Sequence, residues 1–386
     1  MLRFLTAGES HGPELAVIVE GLPSGVRIDG ERIDRDLRRR QGGHGRGARS
    51  TKIERDHAEI VGGVHDGRTT GAPVAMRIVN RDFANQPADP TPLTAPRPGH
   101  ADLAGAIKYG HDDFRIVRER ASARETAARV AAGAVAGSLL EAFGTRVGSF
   151  VVQVGEETAS LPRLDELDAA ALERLAALAE DDEVRCPDPD GSARMRAAID
   201  EAKAAGETLG GSVVAFAVGV PAGLGSYAQW DRKLDGRLAA AVCSIPGIKG
   251  AEIGPAAEVA RRLGTQAQDH ILPGDRGVTR QTNRAGGLEA GVTNGEPVVV
   301  RAAMKPLSSV RAEVASVDFR TGEPANPSHV RSDVTAVPAA AVVTEAMVAW
   351  VLAEALCERF GHDRLDAMLA ARRAVGDAGP PRGGGA

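Results

Sequence analysis

Residues 16–20 and 213–218 carry the period-two pattern of β-strands, and each runs into a glycine and proline turn, GLPSG or GVPAG. Two other stretches, 122–144 and 339–361, are rich in alanine, apolar almost all round, and end in Phe-Gly. A helix without a polar face is buried on more than one side, and a following glycine accepts the conformation that stops it. Between the halves, residues 155–206 are acidic and helical in pattern, with Ser192 as the expected N-cap and Gly206 as the C-cap. A further helix is predicted at 101–109, after the extended segment that Pro96 and Pro98 impose.

The strands and helices repeat. GESHGPELAVIVEGLPSG (8–25) aligns without gaps on GETLGGSVVAFAVGVPAG (206–223), and IDRDLRRR (33–40) parallels LDGRLAAA (234–241). GGVHDGRTTGAPVAMR (62–77) recurs as GGLEAGVTNGEPVVVR (286–301), and the two long apolar stretches follow in the same order. Each half therefore predicts a strand, a turn, a short helix, a second β segment closed by a Thr-x-Gly turn, and a long Ala-rich helix. The economical fold is α+β, a β-α-β layered sandwich with an internal pseudo-two-fold duplication and the long helices inside. We expect one composite domain over 1–375, with halves at about 1–150 and 206–361, an insertion at about 155–206, and a disordered tail at 376–386.

Composition narrows the function. Aromatic residues make up 3% of the 386 residues, so stacking platforms for single-stranded nucleic acid are scarce. Cys186, Cys243 and Cys357 have no CxxC spacing, which fits free thiols and neither a zinc site nor a disulfide framework. The first twelve residues lack an apolar signal core, and the longest apolar stretch, 339–356, is interrupted by Thr344, Glu345 and Glu354; a soluble cytoplasmic protein is expected.

Against a net charge of −5, the segment RRRQGGHGRGARSTKIER (38–55) sets Arg38, Arg39, Arg40, Arg46, Arg49, Lys52 and Arg55 against one carboxylate, Glu54. Guanidiniums clamp carboxylate and phosphate, and the glycines let backbone N–H groups approach the same ligand. A solvated basic loop is the competing reading. The second repeat has Ala239, Ala240 and Ala241 where the first has Arg38, Arg39 and Arg40, so the fold tolerates alanine there and a ligand becomes the better explanation. His11 likewise faces Leu209 in the alignment; it is either a proton donor at a strand end or a hydrogen-bonded turn residue. His100, in APRPGHAD (95–102), is either aimed into a cleft or a capping residue. Arg118, Arg120, Arg124 and Arg129 open the first long helix, where anions are favoured, or pair with Glu119 and Glu125 along it. Lys305, Ser308, Ser309, Arg331 and Asp333 suit a phosphate or a flavin edge, or in the last two an ion pair. There is no GxxxxGK[ST], strand-linked GxGxxG or HExxH.

AGESHG, RRRxxGxGRGAR, RPGHADLAGAIKYG, ERASARETAARVAAG, GETLGG, TNRAGGLEAGVTNG, MKPLSS and RSDVTAVPA, in this order from Met1 to about Gly361, closely resemble the chorismate synthase family. The resemblance implies a homotetramer whose subunits hold helices between two antiparallel sheets. It implies anti-1,4 elimination of phosphate from 5-enolpyruvylshikimate 3-phosphate to give chorismate, dependent on reduced FMN, with NADPH as indirect reductant; the missing dinucleotide fingerprint favours an external flavin reductase as partner over an intrinsic activity. By the same resemblance Arg40, Arg46, Arg49 and Arg124 look like substrate ligands, Arg40 and Arg46 also being family positions for NADP. His11 would protonate the leaving phosphate, His100 the reduced flavin near N1, and Asp333, relayed by Ser10, would take the proton tied to N5. FMN contacts would come from Arg120, Ala121, Ser122, Pro246, Gly247, Ala290, Lys305, Pro306, Leu307, Ser308, Ser309 and Arg331. Pro246-Gly247 and Ala290 depart from the family pattern.

Overall fold

The computed structural model describes residues 1–47, 55–83, 91–274, 277–327 and 333–376; Arg49, Lys52, Glu54, Arg331 and the tail from 377 lie outside them. In chain order the first half has β1 (Arg3–Ala7), β2 (Glu14–Glu20), α1 (Gly30–Gln41), β3 (Ala58–Gly62), the small hairpin β4 (Val64–His65) and β5 (Arg68–Thr69), β6 (Val74–Val79), α2 (Asp102–Tyr109), α3 (Phe114–Ala121) and α4 (Thr126–Ala142). Then come β7 (Arg146–Val154), β8 (Glu157–Thr158), α5 (Ala169–Glu180) and α6 (Pro189–Ala205). The second half continues with β9 (Gly211–Val218), α7 (Leu234–Cys243), β10 (Ile248–Ile253), α8 (Ala256–Val259), α9 (Gly264–Ala267), β11 (Ile271–Gly274), β12 (Gly277–Arg280), β13 (Leu288–Glu289), β14 (Val292–Thr293), β15 (Val298–Met304), α10 (Val337–Phe360) and α11 (Leu365–Val375).

The duplication visible in the sequence is a duplication of topology. One sheet has the order β1-β2-β6-β3 and the other β7-β9-β15-β10, with β8 added beside β7, and every pairing in both is antiparallel. The outer strands β3 and β10 each carry a bulge, between Ile60 and Gly62 and between Ile248 and Gly250, at different levels of the strand, and β7 has a further one between Val151 and Gln153. Because β7 pairs with β9, the second sheet begins at Arg146, ahead of the half boundary expected near 150.

Helices α4 and α10 lie between the sheets, α10 packing on α4, β7, β9, α7 and α1. They are buried all round, which is why their sequences lack a polar face. α10 is long and apolar enough to cross a membrane, and 94% of its apolar window is buried in this core. The close crossing depends on Gly133, where an added Cβ would sit 2.4 Å from the Ala346 Cβ.

Two expectations change. The N-cap of α6 is Asp188, whose side chain accepts from Asp190 N–H, and not Ser192. Pro189 follows it, fitting a first-turn position that needs no N–H, and Ser192 lies inside the helix with its hydroxyl on Asp182. Gly206 is the left-handed C-cap as expected. Secondly, Arg39 is a core residue with no ligand-binding role in view. Its guanidinium bonds Glu345, Glu180 and Asp36, and Ser149 donates to the same Glu345. Burial would push Glu345 up; Arg39 outweighs it and holds the carboxyl below its ordinary range.

The outer face of the second sheet is covered by α5, with Leu172 packed against Phe150 and Phe216. The outer face of the first sheet leaves Leu5, Ile18, Val61 and Val79 exposed.

Gly133→Ala should force α4 and α10 apart and lower stability by about 1–3 kcal/mol, read as a lower urea midpoint. Gly137→Ala should cost less, because the atom an added Cβ meets there is the end of the flexible Arg32 side chain.

Candidate active site

The turn between β1 and β2 carries Ser10 and His11. It needs glycine at position 8, where φ is +106° and a Cβ would meet the Glu14 carbonyl at 2.5 Å. Helix α3 locks this turn from the side: Glu119 accepts from the His11 N–H at 2.6 Å and lies 2.7 Å from His11 Nδ1, while its carbonyl accepts from the Ser10 N–H. Glu119 therefore serves His11 across 108 residues. Glu125 does pair locally, with Arg129. Arg120 reaches back to the Thr6 carbonyl and hydroxyl, and the Ser122 hydroxyl donates to Ser10 Oγ at 3.1 Å.

Beside this turn two guanidiniums share one carboxylate. Arg40, in the last turn of α1, donates to Asp56 Oδ2 at 3.1 Å and to the Thr126 hydroxyl at 3.3 Å, and Arg124 donates to the same Asp56 oxygen at 2.6 Å. Gln41 accepts from the Asp56 N–H and fixes it. All three charged groups are buried, and Arg40 Nε has no hydrogen-bond partner among the described residues. Burial would raise the Asp56 pKa, but Arg40 and Arg124 hold it below the usual carboxylate range. Burial, together with the like charges of Arg124 and Arg46, lowers the pKa of Arg40 against the pull of Asp56. Arg46 in turn bonds Asp333, which also accepts from the Gly47 N–H at 2.6 Å. The Arg46 loop is tied to the Asp333 segment through the Val334 N–H and Gly45 carbonyl. Arg38 and Arg55 are exposed and take no part.

A second group forms around His100. Its Nδ1 lies 2.6 Å from Asp102 Oδ1, and Arg97 and Arg118 both donate to Asp102. Arg97 continues to the Ser309 hydroxyl at 2.8 Å; the Gly99 carbonyl accepts from Lys305 Nζ at 2.7 Å and Ser308 Oγ at 2.9 Å. The Gly247 carbonyl accepts from Lys305 N–H, which brings Pro246-Gly247 to the same place. Burial, then the charge of Lys249, lowers the Lys305 pKa. Because α3 carries Arg118 and Glu119 side by side, one helix serves both histidines.

One expected residue stays apart from these groups. Ala290 sits at the turn of the β13–β14 hairpin with φ +51°, where the neighbouring Gly291 carbonyl accepts from Leu234 at the start of α7. Gly247 follows the other end of α7, so about 15 Å of helix separates them, and within one chain Ala290 is not part of the Lys305 group. Nor does any described hydrogen bond join Ser10 to Asp333. The sequence reading missed Asp56, Asp102 and Arg97; only their position near the arginine run and RPGHAD pointed to them.

A duplicated α+β sandwich that gathers guanidiniums, a lysine and two carboxylate-held histidines from both halves defines an enzyme of the layered-sandwich class with a basic site. The family model for chorismate synthase matches residues 2–357. The chain belongs to the chorismate synthase family. It is 56% identical over 372 residues to a chorismate synthase of Rubrobacter xylanophilus, covering 94% of this chain and 93% of that one, and 53% identical over 380 residues to one of Salinispora tropica, covering 94% and 95%. A crystal structure of a chorismate synthase superimposes with a TM-score of 0.81 at 42% identity, covering 97% of each chain.

Asp56→Asn should leave two buried guanidiniums facing each other and cost about 3–5 kcal/mol at pH 7. The folded pKa of Asp56 lies below its unfolded value, so its stabilisation is present above that value and lost as pH falls through the folded one. Urea unfolding of parent and variant should therefore converge as the pH drops below about 4.

Proposed function

We propose that this protein catalyses the anti-1,4 elimination of phosphate from 5-enolpyruvylshikimate 3-phosphate to give chorismate, a carbon–oxygen lyase step in the shikimate route to aromatic amino acids. The observation that carries this reading is the buried pair of arginines, Arg40 and Arg124, sharing the single carboxylate of Asp56 with Arg46 alongside. A cationic excess in a desolvated place suits a substrate with two carboxylates and a phosphate. His11, held by Glu119, donates a proton to the departing phosphate oxygen. Asp333, anchored by Arg46 and the Gly47 N–H, accepts a proton at a carboxylate oxygen. His100 is held by Asp102, and the Gly99 carbonyl before it by Lys305 and Ser308.

The polar set of Lys305, Ser308 and Ser309 with Gly247, and at the end of α3 that of Arg120, Ala121 and Ser122, suit an anionic group with a hydrogen-bonding edge, so these residues would hold reduced FMN. Reduced FMN supplies electron density as the carbon–oxygen bond breaks. NADPH is then an indirect reductant acting through a separate flavin reductase, in keeping with the missing dinucleotide fingerprint. We take residues 1–375 as one composite domain, because one apolar core runs from Leu2 to Met368. A homotetramer is supported by the uncovered outer face of the first sheet, and a cytoplasmic setting by the free thiols of Cys186, Cys243 and Cys357.

Mixing the protein anaerobically with photoreduced FMN and 5-enolpyruvylshikimate 3-phosphate should produce chorismate absorbance without net flavin oxidation. NADPH consumption in proportion to product would instead make it an oxidoreductase. Salt-dependent retention on polyanions with no flavin-dependent turnover would make it a binding module. His11→Ala should lower kcat by about 10²-fold or more with KM little changed, whereas Arg46→Ala should chiefly raise KM.

A further inference from the structure

The Asp102 carboxylate is wholly buried at the start of α2 and is approached from three directions. Oδ2 accepts from the Arg97 N–H, Arg97 Nε and Arg118 NH2, each at 3.1 Å. Oδ1 faces His100 Nδ1 at 2.6 Å and Arg97 NH2 at 3.3 Å. Two guanidiniums and a backbone N–H on one carboxyl keep it ionised, and an ionised carboxylate only accepts. The proton in the His100–Asp102 bond must therefore sit on Nδ1, which leaves Nε2 as the acceptor nitrogen of the neutral ring. The charged groups around the pair, Arg97, Arg118 and, across the Gly99 carbonyl, Lys305, are all cationic.

We propose that Asp102 is a positioning residue for the reaction assigned above: it fixes His100 as the Nδ1–H tautomer and so leaves Nε2 as the acceptor nitrogen of the ring. The kinetic part of this inference rests on the proposed function; the tautomer does not. A carboxylate that only anchored α2 would leave the ring free to take either tautomer, and its loss would act on stability and not through His100.

Long-range proton–nitrogen spectra of the full chain labelled in histidine nitrogen, with His100 identified by comparison with His100→Ala, should show Nδ1 protonated and Nε2 bare at a pH where the ring is neutral. In Asp102→Asn the amide can donate to the ring, and His100 should move toward the Nε2–H form. Turnover of that variant should fall by about 10²-fold with KM for 5-enolpyruvylshikimate 3-phosphate within about threefold. In a His100→Ala background the same substitution should change kcat by less than about twofold, since the effect passes through the imidazole. An Nε2–H tautomer in the unmodified chain overturns the proposal, as does a full, additive loss in the His100→Ala background. If Asp102→Asn does not fold, the spectrum of the unmodified chain decides. Absence of turnover in the unmodified chain would count against the proposed reaction, and the tautomer of His100 would then decide the role of Asp102 on its own.

Discussion

An internal anion must hold the arginines of this site together without cancelling them, and Asp56 meets that constraint. Two adjacent guanidiniums in a desolvated place repel each other, so without a carboxylate between them they would turn to solvent or destabilise the fold. With one carboxylate they stay, and an excess of positive charge stays with them. One residue earlier on α1 the balance is different: Arg39 meets Glu345, Glu180 and Asp36 and is fully matched. Successive helix residues point about 100° apart, so one basic run supplies a neutralised core strut and an under-neutralised buried guanidinium.

The duplicated fold places these groups and then treats its halves unequally. In the first half the turn after β1 presents Ser10 and His11 to α3. In the second half the equivalent turn presents Thr208 and Leu209, which bind the Leu307 carbonyl and the Val334 carbonyl. One turn thus holds a polar pair against α3, while its copy braces the two segments that carry Ser308 and Asp333. Symmetry in the backbone serves as a frame, and the divergence of side chains within it makes the site.

Most of the architecture was legible because it rests on local pattern: glycine turns, strand period, apolar helices, and the order in which they recur. His11, Arg40 and Arg46 stood out because their counterparts in the other repeat, or the charge around them, made them odd, whereas the roles of Ser10 and His100 came from the family resemblance. What the chain did not disclose was pairing across distance. His11 and Glu119 are 108 residues apart, and Arg97 and Ser309 are 212 apart; no spacing rule links such residues. The separation of Arg39 from Arg40 depended on which face of α1 meets α10, and that of Ala290 from Lys305 on the length of α7, both of which are tertiary facts.

The segment before His100 is sewn to the opposite half at a row of points: Thr94 to Asp318, the Pro96 carbonyl to Ser316, Arg97 to Ser309, and the Gly99 carbonyl to Lys305 and Ser308. These are polar contacts, part-buried or exposed, whereas the helices beneath are held by a continuous apolar core. Local opening therefore costs less along this row than in the interior. On warming, this border should open before the sandwich melts, while the imidazole stays tied to the buried carboxylate of Asp102.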